Sequence, residues 1–321
     1  MHNHNSSYWD AYYKFWNEFV EAWFNSMQSQ ENRNIAEEKA RKFWNASSIN
    51  LDELPEPYYG KPHKDVDAVF INLNPGMSTG DDLESTKFFS KLTAPEADGW
   101  LIREYAKTKC YREYANKWSC LSPDLRNHDP EVCGVRWWQD IAPNPIGGRM
   151  SWVRRIYGKV DVCPSKVFAL ELCPFHSKRW GFDLAANQGL KDFINEHVIE
   201  PAIVATIENE LPFAIAVGAA IRDVLVRAGA KKEKEWICES KGQQRKVTDD
   251  ISDIWPMWED GRCVVRGYQL YCIHRKEMSA RVLVTWAPGG NTCPQYGFRK
   301  VEERIRQYAL NNPIGSCCRE S

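Results

Sequence analysis

Three short stretches place polar or aromatic side chains beside proline or glycine, directly after apolar runs of strand length: Asn74-Pro75-Gly76, Glu171 through Pro174, and Trp286 through Asn291. Polar groups at the carboxyl ends of parallel strands lie where open α/β sheets bind ligands. An amide such as that of Asn74 both donates and accepts, so it can orient a water molecule without being ionised. Asn-Pro-Gly is also common turn chemistry, so this stretch alone leaves function open.

The spacing of apolar residues along the sequence predicts the strands and helices that position these residues. Strand patterns alternate with helical ones, which predicts a parallel α/β sheet with helices on both faces. The polar stretch 231–253 predicts a solvated excursion, and 263–273 predicts a hairpin around Arg266-Gly267. The main strands are predicted at 69–73, 166–172, 213–217 and 281–286, and the helices at 8–27, 31–45, 187–209, 219–227 and 297–310.

Composition narrows the class of protein. The 321 residues carry a net charge of −1, so no global field attracts the chain to a polyanion, and any nucleic-acid contact must come from local clusters. The eleven cysteines contain no Cys-x-x-Cys, and we predict no metal and no cofactor. Residues 1–7 lack an apolar signal region and no run reaches transmembrane length, which predicts a cytoplasmic protein with reduced thiols and no membrane contact.

The three stretches, in this order, resemble motifs of the uracil-DNA glycosylase superfamily, nearest the single-strand-selective monofunctional and mismatch-specific branch. Leu73-Asn74-Pro75-Gly76 is similar to the first motif of that branch, and Glu171 through Phe175 is similar to its Asn-x-Cys-Pro-Leu stretch. Ala216-Val217-Gly218 is similar to its strand-to-helix step, and Ala287 through Phe298 to its final loop and helix. The resemblance covers about a quarter of the chain.

The resemblance implies a fold and a reaction. The fold is a three-layer α/β/α sandwich on a central four-stranded parallel sheet. The enzyme flips a nucleotide out of DNA and hydrolyses its N-glycosidic bond. On this basis Asn74 holds the attacking water, Glu171, Leu73 and Gly76 bind the base, and Phe175 either stacks on the base or fills the family's apolar position beneath the pocket. Gly289, Gly290 and Asn291 match the loop that contacts DNA in the family. His176, Lys178 and Arg179 follow the second strand at the same rim, where they either contact a DNA phosphate or are solvated.

Two departures from the family pattern alter the expected substrate. Glu171 replaces the base-reading Asn, and an ionised carboxylate only accepts, which suits an exocyclic amine such as N4 of cytosine. A protonated Glu171 would instead mimic Asn. The motif's His is also absent, and its place falls on Thr285, Trp286 or Ala287. We assign its role to Trp286, with His176 and His274 as alternative substitutes.

The sequence thus predicts two regions: an N-terminal helical extension over 1–62 that packs on the core, and a glycosylase-like domain over 63–321 with insertions at about 78–160 and 231–262. The predicted function is a monofunctional DNA glycosylase that removes an amino-bearing or modified cytosine-like base, in defence against modified foreign DNA. The alternatives are ordinary uracil or deaminated-base repair, and an inactive nucleic-acid-binding module of the same fold. DNA is the only partner inferred.

Overall fold

The computed structural model describes residues 5–26, 29–44, 49–51, 55, 57–59, 66–73, 149–162, 166–177, 187–241, 244–248, 262–287, 294 and 298–314. Within these ranges the chain has the predicted α/β class. The helices are α1 Asn5–Ser26, α2 Gln30–Trp44, α3 Arg149–Tyr157, α4 Gln188–Ile194, α5 Glu200–Glu208, α6 Ala219–Arg227 and α7 Arg299–Asn311. A π-helical turn, Asn195–Ile199, joins α4 to α5.

Ten strands are described: β1 Ile49–Asn50, β2 Tyr58–Tyr59, β3 Ala68–Asn72, β4 Val167–Glu171, β5 His176–Ser177, β6 Ala214–Val217, β7 Lys231–Lys241, β8 Gln244–Thr248, β9 Arg262–Arg275 and β10 Met278–Trp286. The main sheet has the order β2-β4-β3-β6-β10-β9-β7-β8, and β1 pairs with β5 separately. Strands β4, β3, β6 and β10 are parallel neighbours. They are the four predicted strands, but the described sheet is mixed, which corrects the purely parallel expectation.

Residues 231–241 and 244–248 of the region predicted as a solvated excursion are instead part of the sheet. Strand β7 pairs with β9 over its length and with β8 on its other edge, both antiparallel. The predicted hairpin around Arg266-Gly267 is also wrong, because β9 passes through these residues and turns into β10 at Lys276-Glu277. Trp236 and Cys238 of β7 are buried, so this strand contributes to the hydrophobic core.

Helices α1 and α3 lie against opposite faces of the sheet. Phe168 of β4 contacts Trp9 of α1, with ring centroids 5.9 Å apart, and Phe70 of β3 contacts Trp152 of α3 at 5.8 Å. Phe168 lies beside Val69 in the β3–β4 register. Since successive side chains of a strand point to opposite faces, Val69 and Phe70 face opposite ways. We call the side that Phe70 faces the α3 face and the other side the α1 face.

The predicted N-terminal extension is integrated with the sheet. Trp9, Tyr12 and Trp16 of α1 are buried in the same hydrophobic core as the strands. Tyr58–Tyr59, on the extension side of the predicted boundary, pair antiparallel with Leu170 and Ala169 of β4. This pairing makes residues 58–59 part of the main sheet.

The state of one cysteine and the character of the helices compare as follows with the predicted reduced thiols and absence of membrane contact. Cys272 of β9 is disulfide-bonded, which departs from the expectation that every thiol is reduced. None of the described helices is both long enough and apolar enough to cross a membrane.

Candidate functional site

The carboxyl ends of β3 and β4 carry a buried polar pair. Asn72 and Glu171 are the last residues of these parallel strands and lie opposite each other in the register. The Asn72 Nδ2 donates to Oε1 of Glu171 at 2.9 Å, and the two residues are only 8% and 4% exposed. A buried carboxylate is costly unless hydrogen bonds compensate for its lost water. The amide therefore both stabilises the carboxylate and fixes the direction in which it points.

The backbone around this pair is also fixed. Glu171 N donates to Pro57 O at 2.9 Å, Leu172 N to Asn72 O at 3.0 Å, and Cys173 N to Leu73 O at 3.0 Å. The last two bonds continue the β3–β4 pairing past the strand ends. Because the backbone holds both residues, the carboxylate and the amide have little freedom to separate.

The pair faces the same side of the sheet as two polar residues of β9 and β10. Asn72 follows Phe70 by two residues, so both lie on the α3 face. Phe70 aligns with Ile215 of β6, and Ile215 with Leu283 of β10, which places Thr285 on the α3 face as well. Thr285 is fully buried and lies at the carboxyl end of β10.

Arg266 brings a buried positive charge to the end of the sheet where the parallel strands have their carboxyl ends, which we call the carboxyl edge. Its Nη1 donates to Oγ1 of Thr285 at 3.2 Å, and its guanidinium carbon lies 5.6 Å from the ring centroid of Phe298. The Thr285 hydroxyl in turn donates to Gly267 O at 3.2 Å. Arg266 is 4% exposed. The carboxyl edge of the α3 face thus carries a carboxylate on β4 and a guanidinium on β9, with three strands between them.

Trp286 lies on the other face. It follows Thr285, so its side chain points to the α1 face, and its indole covers Gly267 of β9. A Cβ added to Gly267 would lie 2.2 Å from Cζ2 of Trp286. Trp286 is 3% exposed. The structure therefore does not bring Trp286 together with Glu171 on one face, although the sequence assigned both to one site.

Phe175 and Leu73 belong to the hydrophobic interior. The ring of Phe175 lies 5.7 Å from Phe19 of α1 and 6.3 Å from Trp44 of α2, measured between centroids. Leu73 is half-buried against the core. Phe175 therefore packs between the two N-terminal helices, which close the end of β4 on this side.

The histidines proposed as substitutes lie in different places. His176 belongs to β5, where it pairs with Asn50. His274 is exposed, pairs with Ser279 at the start of β10, and so lies at the opposite end of that strand from Trp286. This position excludes His274 from the carboxyl edge. The remaining predicted site residues lie outside the described residues: Asn74, Gly76, Lys178, Arg179, Gly289, Gly290 and Asn291.

The interior around Glu171 disfavours additional charge. Burial raises the pKa of the Cys173 thiol, and the neighbouring Glu171 charge raises it further. Cys173 is therefore a neutral core residue and not a nucleophile. Among the described residues, no group of three or more His, Cys, Asp or Glu side chains is arranged to hold a metal ion.

Sequence reasoning missed Asn72 and Arg266. Asn72 belongs to an apolar run and ends its strand. A polar residue at the end of a strand that is buried on both faces is itself a sign of a functional position, and it could have identified Asn72. Arg266 was assigned to a turn, and only the β9–β10 register, in which the next residue Gly267 lies opposite Trp286, brings it to the carboxyl end of β10. Comparisons with protein-family models, curated proteins and solved structures found no match to this chain.

Proposed function

We propose that this chain is a monofunctional DNA glycosylase that removes an amino-bearing, cytosine-like base by water attack on the N-glycosidic bond. The observation that carries the proposal is the buried carboxylate of Glu171 at the carboxyl end of a central parallel strand, with Oε1 held by Asn72. Ligands of open α/β sheets bind at this edge. The three-layer α/β/α sandwich is part of the proposal, and helices on both faces of four adjacent parallel strands support it.

Base identity follows from the hydrogen-bonding character of Glu171. The Asn72 amide donates a hydrogen bond to Oε1, so this oxygen acts as an acceptor, as both oxygens of an ionised carboxylate do. An ionised carboxylate offers only acceptors, so it matches an exocyclic amine. Uracil presents a carbonyl oxygen at the corresponding position, which would face a carboxylate unfavourably. Cytosine or a modified cytosine is therefore the preferred base.

Arg266 is suited to stabilise the departing base. Cleavage of the N-glycosidic bond leaves negative charge on the base, and a fixed donor in a water-excluded site is worth several kcal/mol, on the order of 3. A guanidinium is always charged and donates in a fixed plane. Arg266 lies at the same edge and on the same face as Glu171, held by Thr285. We assign to it the role that the absent His would have, in place of Trp286.

The test is cleavage of an oligonucleotide panel that bears uracil, hypoxanthine, cytosine and modified cytosines, read as alkali-labile abasic sites. We expect cleavage at an amino-bearing base, loss of cleavage in Asn74→Ala, and at least a hundredfold lower kcat in Arg266→Met. Cleavage at uracil alone would support the repair alternative, in which Glu171 is protonated.

A second candidate is a binding module of the same fold without catalysis. The observation that favours it is that Trp286 lies on the α1 face and Phe175 lies between α1 and α2, so neither meets Glu171 on the α3 face. Tight binding of one modified oligonucleotide with no abasic product on any substrate would support the module. Loss of that binding in Glu171→Gln would assign the recognition to the same edge.

A further inference from the structure

Arg155 of α3 connects helix α7 to the chain that precedes it. Its Nη2 donates to the backbone carbonyl of Pro294 at 2.7 Å, and its Nε donates to Oε2 of Glu302 at 2.9 Å. Pro294 lies between the end of β10 and the start of α7, and Glu302 lies in the first turn of α7. One guanidinium thus ties the backbone before α7 to the helix itself.

The guanidinium has little freedom to move. Its Nη1 donates to Ser151 Oγ at 2.9 Å, and its side chain is 10% exposed while that of Glu302 is fully buried. Glu302 Oε1 also accepts from the Tyr268 hydroxyl at 3.4 Å. Helix α3 is itself fixed to the sheet, because the Tyr157 hydroxyl donates to Phe213 O at 2.7 Å. Arg155 is therefore a rigid connection between the sheet and the backbone at Pro294.

Stability alone gives a poor account of this arrangement. Burial raises the pKa of Glu302 and the Arg155 charge opposes the rise, so the pair is costly to desolvate. Buried ion pairs often contribute little net stability compared with apolar residues of the same volume. Arg differs from Lys in presenting several donors in a fixed fork. Here that fork satisfies a carboxylate and a main-chain carbonyl at once.

We propose that Arg155 is a positioning residue that fixes the backbone at Pro294 for contact with the DNA strand. This inference rests on the proposed function and on the expectation, from the family resemblance, that Gly289, Gly290 and Asn291 earlier in the same connection contact DNA. Arg155 would act through Pro294 and not by touching the substrate. Its replacement should therefore weaken DNA binding more than it slows the chemical step.

The chain offers a matched control at the other end of α7. Arg281 forms a buried pair with Glu233, with Nε–Oε2 at 2.7 Å and Nη2–Oε1 at 2.6 Å. Its Nη1 donates to the backbone carbonyl of Ala309 at 3.0 Å. Arg281 thus combines a buried ion pair with a main-chain contact, as Arg155 does, but near the start of β10. Replacing it tests the general cost of disturbing such a pair.

The experiment compares Arg155→Lys with Arg281→Lys in the full chain. The first readout is amide hydrogen exchange of peptides that span 287–298, which needs no activity. We expect exchange there to become about tenfold faster in Arg155→Lys, as for the loss of one charge-assisted hydrogen bond, and to stay unchanged in Arg281→Lys. The second readout is cleavage kinetics, in which KM should rise about tenfold in Arg155→Lys while kcat changes less than threefold.

The outcomes separate this inference from the proposed function. Unchanged exchange over 287–298 in Arg155→Lys, or an equal increase in Arg281→Lys, would overturn the positioning role. A fall in kcat at unchanged KM would overturn it too. Absence of cleavage and of DNA binding by the wild-type chain would instead overturn the proposed function, and the exchange readout would still decide whether Arg155 fixes Pro294. Glu302→Gln, which keeps an acceptor and removes the charge, gives a second variant with the same expected exchange pattern.

Discussion

Asn72 and Glu171 are joined by a 2.9 Å hydrogen bond between the last residues of two adjacent parallel strands. Both residues are held by backbone bonds that continue past the strands. The amide binds one carboxylate oxygen and thereby sets the orientation of the other. An acidic side chain is rarely buried without such a partner.

Replacing Glu171 with Gln should change which base is accepted. Glutamine has nearly the same shape but presents a donor as well as an acceptor, so it can pair with a carbonyl-bearing base such as uracil. We expect Glu171→Gln to lose about 10- to 100-fold in kcat/KM on the amino-bearing base and to gain activity on uracil. Competition between the two oligonucleotides in one reaction measures the ratio directly. An unchanged ratio would exclude Glu171 from base recognition.

Replacing Asn72 with Asp should make stability depend strongly on pH. Two carboxylates in contact cannot both ionise cheaply, so the shared pKa of the folded pair rises above the ordinary value near 4. The folded state then binds more protons than the unfolded chain, and stability falls as pH rises through that raised pKa. We expect Asn72→Asp to lose about 2 kcal/mol or more at pH 8 and markedly less at pH 4.

Urea denaturation at both pH values, with Asn72→Ala as the control, checks this prediction. The alanine variant removes the same hydrogen bond without adding a charge, so its cost should vary less between pH 4 and pH 8 than the cost of Asn72→Asp does. If the stability of the two variants depended equally on pH, a charge at position 72 would have no electrostatic interaction with Glu171.

The parallel part of the fold was predictable because its signals are local. Apolar runs of strand length, each followed by a helix pattern, gave β3, β4, β6 and β10. Strand β7 was not predictable, because its charged residues find partners only in the folded sheet. Glu233 is paired with Arg281, and Gln269 donates to Glu235. Read along the sequence, the same residues have the composition of a solvated segment.

The strand-end position of Glu171 in the candidate site was predictable from the sequence, but the face of the sheet on which each site residue lies was not. The position of Glu171 at a strand end follows from where its apolar run stops. The face that a residue occupies does not, because these strands are buried on both faces and their sequences do not alternate. Assigning Trp286 or Thr285 to the site required the register from Phe70 through Ile215 to Leu283. Only the folded sheet supplies that register.

Adding a methyl group to Gly267 should displace Trp286. The new Cβ would lie 2.2 Å from Cζ2 of the indole, which is far inside contact distance. Overpacking of this kind typically costs about 1 to 3 kcal/mol. We expect Gly267→Ala to fall in that range by urea denaturation. In a Trp286→Leu background the same substitution should cost less than about 0.5 kcal/mol, because the indole is gone. If the free-energy costs of Gly267→Ala and Trp286→Leu were simply additive in the double variant, the close contact between Gly267 and Trp286 would be contradicted.

His197 of the π-helical turn should make stability fall at mildly acidic pH. Its ring stacks on Phe15 of α1, with centroids 3.6 Å apart and planes within 5°, and Trp16 and Phe193 surround it. Burial lowers the pKa of His197 below its usual 6.5, while Glu196 and Glu200 oppose the shift. The unfolded chain therefore takes up a proton first as pH falls below about 6.5, and the folded state loses stability until its own pKa is passed.

Urea midpoints at pH 8 and pH 5 measure this effect in the wild type, His197→Phe and His274→Gln. Phenylalanine keeps a ring against Phe15 but cannot titrate, so His197→Phe should lose less stability between the two pH values than the wild type does. His274 is exposed, so its replacement should leave the wild-type pH dependence in place. If His197→Phe kept the full loss, the acid sensitivity would come from other titrating groups, and burial against Phe15 would not lower the pKa of the imidazole.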